Sequence, residues 1–208
     1  MESDPTFTEL AGLFDRDRLV TLRHLLQEPE LSLLYRYAGK VALLGVMDPG
    51  DSQVPNAPCS YGDPIMEGLL SKLLPSVEKT SGLRVFPTYS YLRVYKEGDV
   101  LGRHTDRPSC EISLSLCLGY EGPGPWPIWI EGPRDVVSIS LEAGDGLLYR
   151  GIECPHWRSP FVGSGLTQVF LHYVDQQGPH SQWKFDKRSS LTDVRALKRS
   201  LGGSTGLQ

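Results

Sequence analysis

Hydrophobic and polar positions along the chain change period near residue 83. Before it the spacing is helical. Leu19, Val20, Leu22, Leu25 and Leu26 recur at helix intervals with charges between them, which predicts a helix over Asp15 to Gln27. Asp63-Pro64 reads as an N-cap followed by proline in the first turn, and Ile65, Met66, Leu69, Leu70, Leu73 and Leu74 continue as one apolar stripe. Pro75 is expected to end or kink that helix, with a further turn closing at Gly82. Asp48 to Tyr61, rich in Pro, Gly, Asp and Ser, reads as a loop able to cover a site.

From Leu83 the period is two. Tyr89, Tyr91, Arg93 and Tyr95 share one face of a strand, with Ser90, Leu92 and Val94 on the other. Glu111 to Gly119 sets Ser113, Ser115 and Cys117 against Ile112, Leu114, Leu116 and Leu118. Further strands are expected at Pro127–Glu131, Val136–Leu141, Leu147–Tyr149 and Thr167–Val174, separated by Gly/Pro turns. Short strands at this spacing predict a mostly β fold, a double-stranded β-helix (distorted jelly roll), with helices supporting one outer face. One domain is expected over residues 1–187. Residues 188–208 are expected to form a polar helix around Thr192–Leu201 and a flexible tail from Gly202.

Composition adds boundaries. A chain of 208 residues with 39% hydrophobic and 22% charged residues is long enough for one well-buried domain. The net charge of −4 supplies no field that would draw phosphate backbones, so no nucleic-acid partner is expected. No apolar run approaches membrane-spanning length, and Met1-Glu2-Ser3-Asp4-Pro5 lacks a signal pattern; a cytoplasmic protein is expected. Cys59, Cys110, Cys117 and Cys154 form no Cys-X-X-Cys pair and read as reduced thiols. Parity sets Cys110 and Cys117 on opposite strand faces, which speaks against a disulfide between them.

The candidate chemistry lies in Gly98-Asp99-Val100-Leu101-Gly102-Arg103-His104-Thr105-Asp106-Arg107. On an extended strand His104 and Asp106 point to one face and can reach one ion; His156, in Cys154-Pro155-His156-Trp157-Arg158, is the candidate third ligand. Two histidines and one carboxylate on one side of a metal leave the opposite side open, the arrangement used by non-haem Fe(II) oxygenases; the same three ligands can also hold Zn or Mn. His172, mid-strand, is a competing third ligand but reads better as a packed histidine.

Several motifs agree in order and spacing with one family. Tyr95-Lys96-Glu97-Gly98 before His104-Thr105-Asp106, Gly144-Asp145-Gly146-Leu147-Leu148-Tyr149 before His156, and a last strand over Gly165 to Val174 resemble the 2-oxoglutarate-dependent Fe(II) dioxygenases, in their prolyl-hydroxylase-like branch. The resemblance covers Leu83 to Val174 and implies an enzyme using Fe(II) and 2-oxoglutarate with O2. It would hydroxylate an unactivated C–H bond of an amino acid, peptidyl residue or small metabolite and release succinate and CO2. It implies His104, Asp106 and His156 as metal ligands and catalytic centre, and Tyr95 as a co-substrate contact. The carboxylate at Asp106 speaks against halogenation, which needs a small residue there.

The chain departs from the family in two places. A Lys or Arg is expected on the last strand, where this chain has Leu166, Thr167 and Gln168; the family tyrosine on the strand after His-X-Asp is replaced by Cys117. Arg158, two residues past His156, offers a planar fork suited to a carboxylate, and Thr167 a hydroxyl; both are candidates for binding 2-oxoglutarate. Tyr91 and Arg93, on the face of Tyr95, and Arg107 beside the metal pair are candidate substrate contacts. Two other readings stand beside this one. One is a catalytically silent jelly-roll module that binds metal or 2-oxoglutarate, kept open by the missing basic residue. The other is a nucleic-acid demethylase, disfavoured by the acidic balance. Oligomeric state is not legible.

Overall fold

The structure, a computed structural model, describes residues 7–191. Three helices precede most of the strands: α1 (Phe7–Asp17), α2 (Glu30–Leu43) and α3 (Pro64–Ser81), with β1 (Leu19–Leu22) and β2 (Cys59–Tyr61) between them. Eight strands follow: β3 (Val85–Tyr95), β4 (Leu101–His104), β5 (Ile112–Glu121), β6 (Ile128–Glu131), β7 (Val136–Ile139), β8 (Gly146–Tyr149), β9 (His156–Arg158) and β10 (Gly165–Asp175). They form a larger sheet in the order β1-β8-β5-β10-β3-β2 and a smaller one in the order β4-β9-β6-β7, all pairings antiparallel. This is the expected jelly roll with supporting helices.

The period-two pattern divides the interior into two cores. Ile112, Leu114, Leu116 and Leu118 of β5 and Val169, Leu171 and Tyr173 of β10 face the helices, where Leu34, Met66, Leu70, Leu73 and Val77 cover them. The opposite face packs Tyr95, Cys117, Tyr149 and Leu166 against Leu101, Ile128, Ile130 and Phe161. The site occupies the open end of this second core.

α3 starts as the sequence dictates. The Asp63 carboxylate accepts from the backbone N–H of Ile65 (2.9 Å) and Met66 (3.1 Å), and Gly82 closes the helix in the left-handed region at φ 71°. Pro75 does not end it; the helix runs through to Ser81.

The expected helix over Asp15 to Gln27 is replaced by the end of α1, a strand and a turn. Arg18 takes φ 64°, which breaks the helix, and Leu19–Leu22 then pairs with Tyr149–Gly146 of β8. The apolar residues that suggested a helix face are used instead to extend the sheet edge, since tertiary hydrogen bonding overrides a short spacing signal. α2 escaped the spacing analysis.

The first residues after position 187 make contacts with the domain. Arg188, expected in the polar tail, is buried, donating to Glu67 Oε1 (2.5 Å) and the carbonyl of Thr88 (3.0 Å), and Leu191 packs at the edge of the helix-side core. The helix expected at Thr192–Leu201 and the tail from Gly202 lie outside the described residues. All four cysteines are free and buried, and no described helix is long and apolar enough to cross a membrane.

Asp63→Ala removes the α3 cap and the acceptor of the Tyr37 hydroxyl (2.6 Å) together. The expected loss is about 1–2 kcal/mol in urea unfolding, with an unchanged denaturant slope.

Candidate metal centre

His104 is the last residue of β4 and His156 the first of β9, and the two are direct partners across the ladder. Their rings lie 4.3 Å apart, centroid to centroid. Asp106 lies beyond the strand end, so the expected strand parity does not bring it to His104; a turn does. Its backbone N–H donates to the carbonyl of Gly151 (2.9 Å), which folds the chain back toward β9. Asp106 Oδ1 then stands 3.7 Å from Nε2 of both His104 and His156.

Both imidazoles are held by their other nitrogen. His104 Nδ1 is 2.8 Å from the Gly102 carbonyl and His156 Nδ1 2.9 Å from that of Cys154. A carbonyl only accepts, so each Nδ1 carries the proton and each Nε2 presents its lone pair to the space shared with Asp106. Burial also lowers the pKa of His156, favouring the neutral ring, although Asp106 pulls the other way. Neutral imidazoles oriented by backbone carbonyls are what a metal ligand requires.

Gly151 makes room for this. A Cβ on it would fall 2.3 Å from Asp106 Oδ2 and 2.4 Å from the Cys110 carbonyl.

The three residues open onto a cavity of about 460 Å³ whose walls include Tyr61, Tyr89, Tyr91, Tyr95 and Tyr149. Tyr149 stands edge-on to His156, its hydroxyl 3.4 Å from Nε2. Sequence reasoning passed over Tyr149, although its parity with Leu147 signals the inward face. His172 also lines the cavity, and burial pushes its pKa down to about 4. It forms a second cluster with Asp106 and Cys110, separate from the ring pair.

The expected substrate residues reach the cavity with their polar ends engaged. Arg93, only 2% exposed, pairs with Asp51, which also accepts from the Tyr91 hydroxyl (2.7 Å). Arg107 lies over the Tyr89 ring and is clasped by both oxygens of Asp186 (2.9 and 2.8 Å). Asp51 comes from the loop expected to cover a site, and Asp186 from the segment after β10. Neither carboxylate was read as functional, because no motif marks them and only folding brings them to the mouth.

The two co-substrate candidates separate. Thr167 pairs with Val94 and shares a face with Val169 and Leu171, which turn toward the helices; the register therefore directs it away from the cavity. Its neighbour Gln168 takes the inward face and donates to Ser115 Oγ (2.7 Å). Arg158, in contrast, is inside the second core at 2% exposure, stacked on Trp126 and donating through Nη1 to the Trp126 carbonyl. Among the described residues its Nε has no acceptor, nor has the buried Tyr95 hydroxyl a partner. The titratable groups around it are Tyr95, Cys117, Tyr149 and His156, and burial lowers its pKa. Among the described residues no carboxylate pairs with this guanidinium to compensate its burial.

No family model and no curated protein matches the chain. Solved structures do match its fold. A prolyl-4-hydroxylase from Pseudomonas putida superposes with a TM-score of 0.68 at 14% identity, covering 81% of this chain and 98% of that one. A prolyl hydroxylase from Trichoplax adhaerens, in complex with a hypoxia inducible factor oxygen degradation domain peptide fragment, gives 0.68 at 14% identity over 82% and 90%. The epimerase SnoN, in complex with Fe3+, alpha ketoglutarate and nogalamycin RO, gives 0.70 at 12% identity over 97% and 92%. This chain shares the fold of these three structures.

Gly151→Ala is expected to displace the Asp106 carboxylate and weaken divalent metal binding at least tenfold, read by calorimetry.

Proposed function

We propose that this protein is a single-domain Fe(II)- and 2-oxoglutarate-dependent dioxygenase that hydroxylates an amino acid, peptidyl residue or small metabolite. The observation that carries the metal half is the convergence of two oriented Nε2 lone pairs and one carboxylate oxygen at the mouth of a cavity. His104, Asp106 and His156 would hold the ion by one side and leave the cavity side for other ligands. Iron as the ion and 2-oxoglutarate as its companion are supported by the fold shared with the SnoN complex and by the donor set.

The residues fit 2-oxoglutarate. Its far carboxylate needs a buried cation, and Arg158 supplies one whose Nε lacks an acceptor, with the unpartnered Tyr95 hydroxyl in the same core. Arg158 and Tyr95 are therefore the proposed co-substrate contacts. The bound pair of iron and 2-oxoglutarate supplies O2 activation, with succinate and CO2 as the co-product. The protein's own residues do the rest. The carbonyls of Gly102 and Cys154 fix the ligand tautomers, and the tyrosines line the substrate space. Tyr91, Arg93 and Arg107 shape the substrate wall, with Asp51 and Asp186 neutralising the two guanidinium groups.

The catalytically silent module stays a rival because Thr167 and Gln168 provide no cation on the last strand. Arg158, on β9 of the smaller sheet, is the cation this reading puts forward instead. Neutralised arginines at the mouth, with a net charge of −4, offer no grip on a phosphate backbone, which disfavours nucleic acid as substrate.

Anaerobic addition of Fe(II) and then 2-oxoglutarate is expected to give the visible charge-transfer band of chelated iron. His104→Ala and His156→Ala should abolish it. Arg158→Ala should retain iron and weaken 2-oxoglutarate at least tenfold. Iron binding without a band in the wild type would favour the silent module, and absence of iron binding would remove the proposal.

A further inference from the structure

Asp106 divides its two oxygens between different neighbours. Oδ1 faces the two ligand imidazoles, whereas Oδ2 lies 3.0 Å from the Ser113 hydroxyl. Ser113 Oγ is also 2.9 Å from His172 Nδ1 and 3.1 Å from the Cys110 carbonyl. All of this is enclosed: Ser113 is 0% and His172 5% exposed, and the His172 ring packs on Tyr89 with centroids 4.6 Å apart.

The hydroxyl has one hydrogen and three neighbours, so proton placement decides what it can do. If His172 Nδ1 were the acceptor, it would take that hydrogen and leave Asp106 Oδ2 without a donor. With the proton on Nδ1, His172 donates to Ser113 Oγ and the serine hydrogen turns to an acceptor of its own. A carboxylate outcompetes the Cys110 carbonyl for it, because hydrogen bonds to an ionised acceptor are about twice as strong. The chain His172 to Ser113 to Asp106 then runs in one direction, each link polarising the next.

Building on the metal reading, we propose that Ser113 and His172 are positioning residues that fix Asp106 as a one-oxygen ligand by engaging Oδ2. A carboxylate without this restraint can rotate or offer both oxygens to the ion, and a second oxygen would occupy part of the face left open for other ligands. The relay runs through strands that the fold already pairs, since Ser113 and His172 are direct partners between β5 and β10. Gly151 lies beside this contact, where a Cβ would fall 2.3 Å from Oδ2 and 2.8 Å from Ser113 Oγ, so only bare backbone leaves room for the bonded pair.

The test is a titration with Co(II) as a spectroscopic stand-in for iron, without 2-oxoglutarate and without turnover. Ser113→Ala and His172→Phe are expected to weaken Co(II) by 10- to 100-fold and to alter its visible ligand-field spectrum. Ser113→Thr keeps a hydroxyl, and His172→Asn keeps an N–H near the position of Nδ1. Both are expected to stay within about threefold of the wild type and to retain its spectrum. A purely structural role would make affinity follow the thermal midpoint in all four variants, with the wild-type spectrum unchanged wherever metal binds.

Wild-type affinity and spectrum in Ser113→Ala would overturn the relay while leaving the metal site standing. Should that variant fail to fold, the contrast between His172→Phe and His172→Asn decides by the same criterion. A wild-type protein that binds no Co(II) would remove the metal reading and the relay with it.

Discussion

The pairing of His104 with His156 is the constraint on which the site depends. β4 and β9 are only four and three residues long, yet their ladder sets two imidazoles directly opposite each other. A one-residue slip would send one of the rings to the other face of the smaller sheet. The register is pinned from both sides. Ile130 of β6 pairs with His156 and buries the far edge of β9, while the Gly98 backbone N–H donates to the Phe161 carbonyl (2.9 Å) beyond the other end of the β4–β9 ladder. Everything else at the centre is placed relative to that pair: Asp106 by the Gly151 carbonyl, Arg158 by lying two residues further along β9.

How much of this was legible in the sequence follows from the range of the forces involved. Side-chain alternation is local, and it correctly separated Ser113, Ser115 and Cys117 from the leucines of β5, and Tyr91, Arg93 and Tyr95 from Leu92 on β3. Capping is local too, and Asp63 and Gly82 bounded their helix as expected. The first helix was misplaced because Leu19 to Leu22 gain more from the free edge of β8 than from a helical turn, a comparison only the folded sheet can make. Thr167 was placed by nearness in sequence to a family position, whereas its face is fixed by pairing with Val94. The candidate ligands were proposed from strand parity and motif order together; they do converge, but not by parity, since Asp106 lies beyond the end of β4.

The mouth of the cavity shows the same limit. Arg93 and Arg107 looked available for substrate because nothing near them in sequence neutralises them. Folding brings Asp51 from a loop more than forty residues earlier and Asp186 from beyond the last strand. Each arginine also rests on a tyrosine ring, so its position is set by stacking as well as by charge. The result is a polar but internally compensated wall, with the uncompensated guanidinium of Arg158 set deeper inside.

The place of β10 in the larger sheet has a consequence for how the molecule is made. It lies between β5 and β3, so the sheet's central strand is also the last strand among the described residues. Until it is synthesised, β3 and β5 each keep an open edge, and the leucines of β5 have no neighbour on that side. Its arrival joins β1, β8 and β5 to β3 and β2 and brings His172 alongside Ser113 in the same step. Contacts so distant in sequence are slow to form. The nascent chain thus carries two incomplete half-sheets, and their unpaired edges are where mispairing would start until β10 is in place.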